Sequence, residues 1–159
     1  MLSPLHPSVW LCLGHAAAAW FMVGLIWIVQ LVHYPLFAQV GPAAYADYHR
    51  AHASRITWIV APAMLIEAIL TVGCVLSFPS VFSALAAALL AVAWLSTFLI
   101  QVPMHGRLTQ GLDMGIVRKL VVTNWVRTAA WSGRGVLSLI MVVQAVELAS
   151  RTAGPGGIS

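Results

Sequence analysis

The stretch SVWLCLGHAAAAWFMVGLIWIVQLVH, from Ser8 to His33, holds no Asp, Glu, Lys or Arg. A helix rises about 1.5 Å per residue and bilayer hydrocarbon is about 30 Å thick, so this run is long enough to cross a membrane. The rest of the chain has the same character: of its 159 residues, 61% are hydrophobic and 8% charged, and its mean hydropathy is +0.93. A water-soluble domain carries roughly a quarter charged residues to wet its surface. Lipid must therefore be part of this protein's solvent. The fold expected is all-α, a bundle of four transmembrane helices.

Three further spans follow, at about 56–77, 81–102 and 120–150, after the first at about 8–33. Pro35 is expected to end the first span and Pro103 the third, because proline cannot continue a helix without losing a hydrogen bond. Gly41-Pro42 should open a short separate helix carrying Tyr45, Asp47, Tyr48, His49, Arg50 and His52. Pro62 is expected to kink the second span. Ser77-Phe78-Pro79-Ser80 reads as a tight uncharged turn, and Met104 to Gly115 as a Gly-containing connection. Residues 1–151 then form one domain, and 152–159 should be a disordered tail. The first span is too long for a signal sequence and is read as retained.

Charge sets the expected orientation. The connections after spans one and three lie on one side and hold Arg50, Arg55, Arg107, Arg118, Lys119 and Arg127, against Arg151 alone on the other side. The positive-inside rule puts both connections in the cytoplasm and both termini outside, in a cell (inner) membrane. No run of Lys or Arg forms a patch for nucleic acid.

Polar residues repeat at one offset: His33 to His105, His52 to Asn124 and Arg55 to Arg127 are each separated by 72 residues. This points to two helical hairpins related by a pseudo-two-fold axis along the membrane normal.

Four histidines, His33, His49, His52 and His105, should meet at the cytoplasmic face. His49 and His52 are three apart and project from one helix face, a spacing that lets two imidazoles reach one ion. Asp47 and Asp113 could complete or orient such a ligand set. The ligand types suit iron or copper, with zinc less favoured. Interfacial histidine, hydrogen-bonded and chemically idle, is the competing reading. His33 and His105 could instead hold haem b, since they end facing spans at one depth. His15 lies five turns from His33, about 27 Å away, outside any such cluster.

Glu67 falls mid-span, where an unpaired carboxylate is costly. Arg134 or a proton should neutralise it, and a structural ion pair or a proton-handling role both remain open. Asn124, Arg127, Trp131 and Arg134 recur at steps of three and four and form a polar stripe that must face the bundle. Arg55, Arg127 and Arg134 could clamp an anionic group. Cys12 and Cys74 sit near the outer ends of neighbouring helices, either as paired thiols or as small core residues. Nucleotide loops, nucleophile elbows, CxxC and HExxH motifs are absent from the sequence.

The four-span layout, the histidine-rich face and the sequence Asn124-Trp125-Val126-Arg127-Thr128 resemble small bacterial four-helix membrane proteins. More loosely, the chain is similar to the anthrone oxygenase-like membrane family. The resemblance implies a membrane oxidoreductase or oxygenase acting on a lipophilic compound, with Asn124 as a functional position. The leading expectation is therefore a metal-dependent oxidoreductase. Its metal sits on His33, His49, His52 and His105 with Asp113 assisting, and Arg55, Arg127, Asn124 and Glu67 serve substrate or proton. A haem protein and a non-enzymatic transporter or accessory subunit are the alternatives. The bilayer and a lipophilic small molecule are the expected partners, with self-association left open.

Overall fold

The computed structural model describes residues 6–152 of the chain; of the tail expected at 152–159, Thr152 still belongs to the last helix and 153–159 lie outside the described residues. Four helices, each long and apolar enough to cross a membrane, run α1 (Pro7–Gln39), α2 (Pro42–Ser77), α3 (Val81–Leu108) and α4 (Met114–Thr152). There is no strand among the described residues. The protein is a multi-pass, all-α membrane bundle.

Its connections are short, as a bundle of antiparallel neighbours requires. Ser80 caps α3 reciprocally with Ser83, so the uncharged turn after α2 satisfies its own backbone. Asp113 accepts the Ile116 N–H and closes the first turn of α4. Gly111, at φ 154°, supplies a conformation that side-chain-bearing residues rarely adopt.

Two sequence expectations are corrected here. Pro35 and Pro103 do not end their helices. A π-helical turn precedes each, Val29–His33 in α1 and Thr97–Gln101 in α3, and the helix continues past the ring. The widened turn moves the hydrogen bonds one residue further, so the proline is carried without a break. The segment opened by Gly41-Pro42 is not a separate helix either. It runs unbroken through Pro62 into the second span, so His49 and His52 stand on the same rod as Glu67.

The internal repeat also has a different register. The π turns and the prolines after them are 68 residues apart (Val29 to Thr97, Pro35 to Pro103), whereas the starts of α2 and α4 are 72 apart (Pro42 to Met114). His33 therefore corresponds to Gln101, and the equivalent of His105 is Phe37.

A two-fold relation would make the α1–α4 and α2–α3 seams equivalent, but they differ. The α1–α4 seam is closely packed and the α2–α3 seam is the loosest between helix neighbours. At α1–α4, a Cβ on Gly135 would stand 3.0 Å from Val23 and 3.4 Å from Trp20, so glycine permits the close approach. α2 is the least covered helix, with 22% of its most apolar window buried against 44% for α1. The bundle is tight on one side and open on the other.

Candidate functional site

The polar stripe of α4 faces inward as expected. Asn124, Trp131 and Arg134 are fully buried, and Arg127 is 6% exposed. It serves two separate regions, with Arg127 and Arg134 seven residues, or about 10 Å, apart along the helix axis.

The deeper region is built on Glu67. Its Oε1 accepts from Arg134 Nε and its Oε2 from Trp131 Nε1, both at 2.9 Å. Arg134 also donates to Thr71 Oγ1 at 2.9 Å, to the Ala86 carbonyl, and faces His15 Nε2 at 3.5 Å. The carboxylate and guanidinium are both wholly buried. Every nitrogen of Arg134 and both oxygens of Glu67 have partners, which is what a buried ion pair needs to survive desolvation. Glu67 is thus neutralised by Arg134, one of its two expected partners, and stands apart from the histidines.

Four histidines gather at the other end. His33 Nε2 lies 2.7 Å from His52 Nδ1, and His105 Nδ1 lies 3.1 Å from His49 Nε2. The ring centroids of His49 and His105 are 5.1 Å apart, stacked, and those of His52 and His105 are 5.9 Å apart. Phe37 makes edge contacts with all four rings. It and His52 occupy the space between His33 and His105, where a porphyrin would need to lie.

The direction of one hydrogen-bond chain follows from its donors. Arg127 can only donate, and Nη1 approaches Tyr34 Oη at 3.4 Å. Tyr34 Oη then gives its own proton to His105 Nε2 at 2.9 Å. In a neutral ring this leaves the proton of His105 on Nδ1, donating to His49 Nε2. His49 must then carry its proton on Nδ1, a buried atom with no partner. The chain Arg127–Tyr34–His105–His49 ends on an open donor.

Asn124 is fixed beside it. It donates to Gln30 Oε1 at 2.9 Å and accepts from Arg127 at 3.1 Å. Gln30 in turn donates to the Val121 carbonyl and takes the Thr128 hydroxyl.

Not every expected residue joins this cluster. Asp113 caps α4, and Asp47 pairs with Arg50 on the exposed surface. Arg55 is exposed, beside His33 and His52 in a shallow hollow. It does not form a clamp with Arg127 and Arg134, because Arg134 is committed to Glu67. Cys12 and Cys74 are free, buried thiols in one apolar cluster at the far end.

The imidazoles are of the right type for a transition metal, but they stand in hydrogen-bonded pairs. Two ligands on a tetrahedral ion lie ~3.3 Å apart when each is 2.0–2.1 Å from it. Both pairs are slightly closer than that. Among the described residues no three His, Cys, Asp or Glu side chains are grouped as a metal site. A cation would replace the shared proton of a pair and open it by a few tenths of an ångström.

A cavity of about 330 Å³ meets this cluster through the loose α2–α3 seam. Its walls are apolar for most of their length, including Ile56, Val60, Met64 and Phe98, and end on His52, His105, Tyr34, Gln101 and Arg127. Three buried polar atoms of its lining lack partners: Arg127 Nε, Gln101 Oε1 and Trp94 Nε1.

Sequence reasoning missed Tyr34, Gln30, Gln101, Trp94 and Phe37. Gln30 and Gln101 carried a readable signal, since each is an amide inside an apolar run. No family model, curated protein or solved structure matches the chain.

Proposed function

We propose that this protein is a membrane-embedded oxidoreductase that acts on a lipophilic molecule, using a redox metal held by His33, His49, His52 and His105. The observation that carries the reading is the side opening between α2 and α3, an apolar passage that ends on imidazoles and on buried polar atoms with open valences. Pockets of this make-up bind small molecules: apolar walls supply affinity and a few convergent polar groups fix orientation.

Iron or copper, once bound, would supply the electron transfer that protein side chains cannot. The chain's own residues do the remaining work. The α2–α3 seam admits the molecule from the bilayer and keeps bulk water away. Arg127 holds the polar end, and Asn124 fixes the guanidinium through its 3.1 Å contact. With a cation on Nδ1, His105 would carry its proton on Nε2 and donate it to Tyr34 Oη, as ligating histidines do to their outer partners. The inner membrane and an orientation with the histidine end in the cytoplasm follow from the positive-inside rule, and with them both termini outside.

Elemental analysis and an absorption spectrum of the protein purified in nanodiscs test this reading, beside a His49→Ala/His52→Ala variant. Stoichiometric iron or copper without a Soret band, lost in the variant, is expected. A Soret band would replace the reading with a haem protein. Absence of stoichiometric metal from protein expressed with iron and copper supplied would contradict it in favour of a non-enzymatic role.

A further inference from the structure

Among the described residues, only two side-chain ion pairs form, Asp47 with Arg50 and Glu67 with Arg134. Arg127 has neither acid. Its partners are the Tyr34 hydroxyl, the Asn124 amide oxygen and the face of Trp131, whose centroid lies 5.2 Å from the guanidinium carbon. All are neutral. A cation that is 6% exposed and lacks a counter-ion is expensive in hydrocarbon, and it lines the cavity with Nε unpartnered. Trp94, which lines the same cavity, keeps its indole N–H buried and without a partner.

The shape of the space limits what can bring the missing charge. The cavity follows α2 from His52 to Leu65, about 20 Å at the rise of a helix, which exceeds the roughly 15 Å of one leaflet's hydrocarbon. At Trp94 it meets a second apolar groove that follows the same seam from Ala68 to Leu76, lined on α3 by Ala87, Leu90 and Ala91.

We infer that the seam binds a long-chain carboxylate. Its head group pairs with Arg127 and takes the Trp94 N–H, and its single tail lies between α2 and α3. The free Gln101 Oε1 accepts from a hydroxyl or water accompanying the head. The inference rests on the proposed function in taking this seam as the substrate's route, and it names the substrate class. A carboxylate also explains why α2 is left so loosely packed, since the tail replaces the missing side-chain contacts.

The test uses radiolabelled palmitate with the full chain in phosphatidylcholine nanodiscs, and hexadecanol as the uncharged competitor. Saturable uptake of one palmitate per chain is expected, with hexadecanol at least about tenfold weaker, the worth of one charge-assisted hydrogen bond. Arg127→Gln should erase that preference. Ala91→Trp, which fills the groove and leaves Arg127 alone, should weaken palmitate while sparing octanoate. If Arg127→Gln does not fold, the palmitate–hexadecanol ratio and Ala91→Trp still decide. Equal competition by hexadecanol, or uptake no greater than by empty nanodiscs, would overturn the inference. Metal content is read in the same samples: palmitate binding without metal removes the redox reading alone, and metal without palmitate binding removes this one alone.

Discussion

The bundle buries two polar regions about 10 Å apart on α4, and they are finished differently. Around Glu67 the charges cancel, both carboxylate oxygens and all three guanidinium nitrogens are engaged, and the helices close over them. Around Arg127 the charge is uncancelled, several buried polar atoms have no partner, and the wall opens sideways into an apolar cleft. Charged groups kept in a membrane for architecture saturate their own bonds, as Glu67 and Arg134 do although His15 Nδ1 beside them has no partner. Groups kept for a visitor leave bonds unmade, and the stability lost there is the signature of a site.

Substitutions sharpen this contrast. The largest effect is expected from Glu67→Ala, which strands Arg134 in the core. Removing one partner of a buried pair costs about 3–5 kcal/mol, read as a lower denaturation midpoint in nanodiscs with no change in palmitate affinity per folded chain. Asn124→Ala takes one of two donors from Gln30 Oε1 and the shorter of two acceptors from Arg127 Nη1, and should cost about 1–3 kcal/mol. Unlike Glu67→Ala, it should also weaken palmitate, because Arg127 loses its orienting contact.

Tyr34→Phe should cost about 1 kcal/mol or less. Its sharper readout is the nitrogen NMR signature of His105: the proton on Nδ1 in the parent should spread over both nitrogens once the Tyr34 hydroxyl is gone. Arg55→Ala, on the exposed face, should change stability by no more than about 0.5 kcal/mol and leave palmitate binding intact.

The sequence made the architecture readable because membrane spans need little more than length and an absence of charge. The inward stripe of α4 was equally plain, since Asn124, Arg127, Trp131 and Arg134 share a helix face and lipid rejects them. The gathering of His33, His49, His52 and His105 was legible from the ends of the spans. The π turns were not. Val29–His33 and Thr97–Gln101 read as ordinary helix, and only the hydrogen bonds, shifted by one residue, reveal how Pro35 and Pro103 are accommodated. That shift also hid the true register of the repeat. The roles of Asp113 and Arg55 depend on which neighbour each finds, and residue type does not give that. The looseness of the α2–α3 seam is a sum over many small side chains, with no single residue to announce it.

Brominated acyl chains quench tryptophan they touch, so they can separate the two regions in one preparation. Trp94 lines the cleft and Trp131 lies sealed beside Glu67. In nanodiscs of brominated phosphatidylcholine, the fluorescence lost in Trp94→Phe relative to the parent should prove strongly quenched, and that lost in Trp131→Phe should not. Equal quenching of the two, or an unquenched Trp94, would contradict a cleft that opens to the bilayer beside a closed polar core.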